Sequence, residues 1–402
     1  MKKILTTIVG VMFLSGCSTL SQKQDSPVSK EQNNQSNDDT FEQRMKLARK
    51  PYSYVSIDYM DVADGKEELY LEVERSWEKI HQKLTEEGKI LGWGLAKARK
   101  NKFDYEYITW KLVRSRGDLD HVYDFDAIKQ SMGKNKFDNL MSKTMESRKI
   151  VGNELLALED YTLPSLPGLG EKNDPNNLYF HFFYMTPTEG KDQEYVEMEK
   201  NVFQPRHQKM SELTPDFLSW RLYRKIADSG RANETSYRTL HFHRKDAKPL
   251  SNDEQQKVNL TLPAFPKDLK FEDVMAMRKV ERVTFDVILM TDSSKNAEAE
   301  AWKELVGTWT ATNENGSYRT KTISPYTEQI KMIDSSGELI HSGKTPMSIE
   351  IKNGLKFFSA HWPNGTYTSV FKIHNDKWYE QTKNILSSNS GKPDIFYIYE
   401  RS

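Results

Sequence analysis

The 402-residue sequence predicts an α+β chain: two tandem copies of one βαββαβ unit, then an antiparallel β meander. Two observations carry that expectation. First, Tyr59-Met60, Gly65-Lys66, Tyr70, Glu72, Glu74, Trp77 and His81-Gln82-Lys83 recur as Tyr184-Met185, Gly190-Lys191, Tyr195, Glu197, Glu199, Phe203 and His207-Gln208-Lys209. The offset is 125 as far as Glu199 and 126 from Phe203 onward, so the helix of the second copy holds one extra residue. Self-similarity at a fixed spacing marks a duplicated structural unit. Second, the last hundred residues are alternating runs punctuated by Asn315-Gly316, Asn353-Gly354 and Asn364-Gly365, and Asn-Gly between such runs is a hairpin signal.

The chain opens with Lys2-Lys3 and a short apolar run, Ile4 to Leu14, ending in Leu14-Ser15-Gly16-Cys17. A spanning helix needs about 20 apolar residues, so this run reads as a signal peptide over 1–17. Its end resembles the lipobox of bacterial lipoproteins. That resemblance implies that Cys17 is acylated on sulfur and becomes the mature N-terminus. Cys17 is the only cysteine, which leaves no intramolecular disulfide, cysteine metal site or thiol nucleophile. Ser18 at the next position implies sorting to the outer membrane, facing the periplasm, in a Gram-negative source. Residues 18–49 are polar and read as a flexible tether of roughly 30 residues, reaching about 30 Å from a membrane.

Repeat one spans 50–160. Val55, Ile57 and Tyr59 alternate against Ser56 and Asp58 as a strand. Leu69, Val73, Trp77, Ile80 and Leu84 form the stripe of a helix ended by Gly88. Two strands around Trp93 and Tyr107, a helix from Phe137 and a strand over 149–158 complete the unit. A Pro/Gly-rich link, 161–177, separates it from repeat two, 178–292, which follows the same plan. A βαββαβ unit is ferredoxin-like, and two copies can bury their bare sheet faces against each other as a pseudo-dimer. The layout resembles the dimeric α/β-barrel superfamily, which includes antibiotic-biosynthesis-type monooxygenases. Residues 297–402 read as a helix and nine strands closing into a barrel. Gly307-Thr308-Trp309 resembles the Gly-x-Trp signature of lipocalins.

Balanced charge, 58 Lys+Arg against 58 Asp+Glu, argues against a nucleic-acid partner. No phosphate loop, His-Glu-x-x-His or Gly-x-Ser-x-Gly occurs, and no motif assigns a cofactor. Candidate chemistry rests on histidines. His81 and His207 are equivalent, each one turn after an aromatic; they read as a pocket-edge base or ligand contact, or as half-buried packing. His181, His241 and His243 could bind zinc, iron or haem if they share a sheet face, and pack as polar residues if they do not. The Glu72/Glu74 and Glu197/Glu199 pairs read as a solvated helix face. Trp93 and Trp220 read as core. On their reverse side stand Gly92, Gly94 and Ala96 in repeat one and Ser219, Arg221 and Tyr223 in repeat two. One wall leaves room and the other provides polar groups.

These readings favour a lipid-anchored envelope protein binding a small apolar or aromatic molecule, in the β barrel or between the repeats, with His81, His207, Arg221 and Tyr223 as candidate contacts. The alternatives are a monooxygenase-like or haem- or metal-dependent enzyme using the histidines of repeat two, and a structural or assembly lipoprotein.

Overall fold

The computed structural model describes residues 40–100, 103, 105–163, 174–229, 235–248, 250–352, 354–382 and 395–402. Cys17 and most of the expected tether lie outside them. The last part of that stretch is helical: α1 (Phe41–Ala48) starts at a capping box in which Thr40 and Gln43 bond each other's backbone N–H.

Repeat one contains β1 (Tyr54–Val62), α2 (Glu67–Glu86), β2 (Gly92–Ala98), β3 (Tyr107–Val113), α3 (Phe125–Met132), α4 (Lys134–Ser147) and β4 (Arg148–Tyr161). Repeat two contains β5 (Leu178–Pro187), α5 (Asp192–Met198), a π turn (Glu199–Phe203), α6 (Gln204–Leu213), β6 (Phe217–Ser229), β7 (Tyr237–Arg244), α7 (Asn252–Thr261), α8 (Phe271–Ala276) and β8 (Arg278–Met290). The π turn falls where the duplication gains its extra residue.

Each repeat forms an antiparallel sheet in the ferredoxin-like order, β4-β1-β3-β2 and β8-β5-β7-β6. The sheet edges then pair with each other, β2 with β8 and β4 with β6, and close one eight-stranded barrel. Closure leaves neither sheet with an unpaired edge. Strand alternation sorts the side chains into two layers. Val55, Ile57, Phe180, Phe182, Leu240 and Phe242 fill the barrel. Trp93, Leu95, Trp220 and Leu222 face outward under the helices.

The helix α9 (Ala297–Leu305) leads into β9 (Gly307–Thr312), β10 (Tyr318–Ser324), β11 (Thr327–Ile333), β12 (Leu339–Lys352), β13 (Leu355–Trp362), β14 (Gly365–His374), β15 (Lys377–Thr382) and β16 (Ile395–Arg401). These form a second closed barrel in sequence order, with β16 returning to β9. It has eight strands where nine were read, because 339–342 and 347–351 are one long β12. Gly343 permits that continuity, since a Cβ there would stand 2.7 Å from the Trp362 ring.

This barrel is filled by its own side chains. Trp309, Trp378, Phe358, Phe371 and Tyr399 are buried inside it, and Trp302 and Leu305 of α9 join the same core. Lys321 is also buried, ion-paired with Glu328 (2.8 Å) and Glu380 (2.9 Å) beneath the Phe358 and Trp378 rings. Trp362, Phe357 and Tyr379 are only half-buried.

The two barrels are pinned together. Arg114, just after β3, forms an ion pair with Glu298 of α9 (2.6 Å). Lys46 of α1 forms an ion pair with Asp160 (2.5 Å), while α1 itself packs on β12 and β13 and Arg49 lies over the Tyr326 ring. Among the described residues no helix is long and apolar enough to cross a membrane.

Candidate functional site

The residues common to both repeats build the layer between helices and barrel. His81 stacks on Trp93 with centroids 4.6 Å apart and planes 4° from parallel. His207 stacks on Trp220 at 5.4 Å and also 4°. The helix stripe delivers each histidine and the outward face of β2 or β6 delivers each tryptophan. His81 Nε2 lies 2.6 Å from the Tyr123 hydroxyl. Burial holds the His81 imidazole well below its ordinary range and lowers His207 to about 4. Both rings are neutral at pH 7, and a base that weak has little driving force for proton abstraction. The pair packs the fold.

The repeated glutamates correct the solvated-face reading. Glu72 and Glu197 are exposed, but Glu74 and Glu199 are buried. Glu74 forms an ion pair with Arg148 (3.2 Å) and Glu199 with Arg278 (2.6 Å), the residues that open the closing strands β4 and β8. Residues two apart on a helix point in nearly opposite directions, so one of each pair must meet the sheet. Burial raises the Glu199 carboxyl to about 7 and Glu74 in the same direction.

Where the copies differ, repeat two gathers histidines. His181, His241 and His243 share the outer face of β5 and β7. His181 lies 5.1 Å from His243, and His241 lies 4.8 Å from His207, measured between centroids. The rings are interleaved with aromatics: His243 stacks on Tyr179 at 4.9 Å, and His241 meets Phe183 and Phe217. His181 Nδ1 lies 2.9 Å from Thr284 Oγ1, and His243 Nδ1 lies 3.6 Å from the Asp216 carboxylate. Burial lowers His181 to about 4, His243 in the same direction and His241 well below its ordinary range. Among the described residues no group of three or more His, Cys, Asp or Glu is arranged to hold a metal. The histidines converge on one face and pack as rings there.

The barrel interior holds the other candidates. Gly92, Gly94 and Ala96 face it from β2, and Ser219, Arg221 and Tyr223 from β6. The room on the glycine side is taken by a neighbour: a Cβ on Gly94 would stand 2.1 Å from the Trp110 ring. Between Trp110 and the opposite wall lies a recess bordered by Val55, Leu112, Phe180, Phe242, Tyr52, Arg221 and Tyr223 among others. Its free space is about 30 Å³, enough for one or two water-sized groups.

Arg221 is 4% exposed. Its Nη1 donates to Tyr52 Oη (2.6 Å), which lies 2.5 Å from Tyr223 Oη. Tyr52 escaped the sequence reading. It precedes β1, outside the alternation, and its partner is 171 positions away. The opposite end of the barrel is closed by a second unforeseen network. Arg238 and Glu154 form a buried ion pair (2.6 Å), Tyr59 donates to Glu154 (3.0 Å), and the Tyr105 and Tyr184 hydroxyls lie 2.7 Å apart.

No protein-family model matches the chain, and no curated protein sequence does. Solved structures do. An anthrone oxidase-like protein is 13% identical over 61% of this chain and 95% of its own, with a TM-score of 0.34. A chlorite dismutase variant from Candidatus Nitrospira defluvii is 11% identical over 60% and 94%, with a TM-score of 0.32. A haem-binding protein from Thermus thermophilus is 10% identical over 59% and 92%, with a TM-score of 0.31. The architecture of this chain, two ferredoxin-like sheets closed into one barrel, rests on its own strand order.

Proposed function

We propose that the protein is a lipid-anchored envelope component whose first barrel binds a small, largely apolar or aromatic molecule between the two repeats. The observation that supports this reading is the recess between Trp110 and Arg221, apolar and aromatic over most of its wall with a few polar groups gathered at Tyr52, Arg221 and Tyr223. That combination, an apolar wall for affinity and few polar groups for orientation, is the usual make-up of a small-molecule site. The second barrel, packed by its own side chains, serves as a rigid companion. A haem- or metal-dependent reaction at the histidines of repeat two has less support, because their rings stack with aromatics.

Native mass spectrometry of gently purified full chain tests the proposal. The expected result is a non-covalent adduct that disappears in Leu240→Trp, which fills the recess. A bare chain in the spectrum, together with no saturable change in tryptophan fluorescence across a library of small aromatics, would overturn it.

A further inference from the structure

We propose that helix α6 is an acid-released cover on repeat two: imidazoles on the helix and on the sheet beneath it repel once charged, and the helix lifts while α2 of repeat one stays down. His207 of α6 and His241 of β7 meet across the layer with ring centroids 4.8 Å apart. His243, next on the same face of β7, lies 5.1 Å from His181 of β5. Rings surround the four: Trp220, Phe217, Phe183 and Tyr179.

An imidazolium here finds little to answer its charge. Arg206 of α6, Arg278 and Arg282 of β8 and Arg99, just after β2, act on the cluster, and all are cationic. The acid that lies against it is Asp216, 3.6 Å from His243. Glu199 is already paired with Arg278, and Asp286 with Arg99.

Repeat one shows the same layer built without this cluster. Matching strand registers put Ser56, Lys111 and Val113 where repeat two has His181, His241 and His243. Lys111 forms an ion pair with Asp58 (2.8 Å). Burial pushes the Asp58 carboxyl up, but Lys111 beside it leaves it below its ordinary value, so that pair outlasts mild acid. The helices also differ in grip. Helix α2 buries seven residues, among them Tyr70, Val73 and Trp77, whereas α6 buries none fully. Side-chain bonds hold α6 instead, from Gln208 to both backbone groups of Leu163 and from Gln204 to the Tyr161 carbonyl. An element with so little buried surface is the kind that opens locally, and the π turn before it is a place to bend.

The sign follows from linkage. His207 and His241 are neutral in the closed layer and ordinary once free, so closure is complete above about pH 6.5 and weakens as pH falls. At pH 5 each favours the open form by about thirtyfold. Glu199, raised by burial to about 7, takes its proton first in the closed form and opposes them by roughly sixtyfold. The three together leave a net opening of about tenfold relative to pH 7.5.

Hydrogen exchange of the purified full chain at pH 7.5 and pH 5, corrected for the intrinsic pH dependence of amide exchange, tests the proposal. Protection over α6 is expected to fall at least about tenfold, and over α2 by less than about threefold. His241→Leu should abolish the fall over α6, which a purely structural role for His241 would leave in place. If His241→Leu does not fold by circular dichroism at pH 7.5, His241→Gln decides. Unchanged protection over α6, an equal loss in both helices, or a fall that persists in the folded variant overturns the proposal.

Discussion

Gly94→Ala is the substitution for which the geometry is most demanding. Its added Cβ would lie 2.1, 2.5 and 2.6 Å from three atoms of the Trp110 indole. Ordinary contacts of this kind are above 3.4 Å, so the ring must retreat by more than an ångström. Phe180 lies edge-on to Trp110, with ring centroids 5.8 Å apart. Overpacking a core by one methyl typically costs about 1–3 kcal/mol. Taking roughly 2 kcal/mol, the melting temperature of a unit this size falls by about 4–8 °C. Calorimetry of Gly94→Ala, Trp110→Phe and the double variant measures it. In the Trp110→Phe background, where the smaller ring leaves room, the alanine should cost less than about 0.5 kcal/mol, a non-additivity expected of touching residues. Wild-type melting of Gly94→Ala, or an equal loss in both backgrounds, refutes close packing of Trp110 over Gly94.

Three further outcomes are expected. Glu154→Gln strands the buried Arg238 guanidinium, and chemical denaturation should show a loss of about 3–5 kcal/mol, as for other broken buried pairs. His207 titrates near 4 in the folded chain against 6.5 in a free imidazole, so the unfolded chain binds its proton first as pH falls. Its contribution is complete above pH 6.5 and is lost between 6.5 and 4, amounting to about 3 kcal/mol; a urea series across that range should be flatter for His207→Leu. Cys17→Ser should abolish incorporation of labelled palmitate into the cell-expressed protein, and continued labelling would remove the lipid anchor from the proposal.

The double βαββαβ order is readable because the positions that build it recur at one offset and obey strand and helix periods. Trp93 and Trp220, with leucines two residues to either side, announce the helix-covered face, and the glycine and arginine walls announce the interior. The burial of Glu74 and Glu199 depends instead on Arg148 and Arg278, which lie 74 and 79 positions away and become partners only once the closing strands pair. Tyr52 with Tyr223 and Glu154 with Arg238 are likewise joined by barrel closure, which local patterning does not encode. The helix α1 is different: its Thr40-Phe41-Glu42-Gln43 capping box is a local signal, masked by the polar stretch before it.

The π turn at Glu199–Phe203 has a consequence for how the two copies can be compared. An α-helix advances about 100° per residue, so a single insertion would swing everything after it a quarter-turn off the sheet. His207 would then leave Trp220 and face solvent or a neighbouring helix. By widening one turn, the backbone absorbs the extra residue as a phase correction, and both ends of the helix keep the angular positions they have in repeat one. An insertion that would have scrambled one half of the molecule is reduced to a local bulge, and the pseudo-symmetry of the barrel survives it.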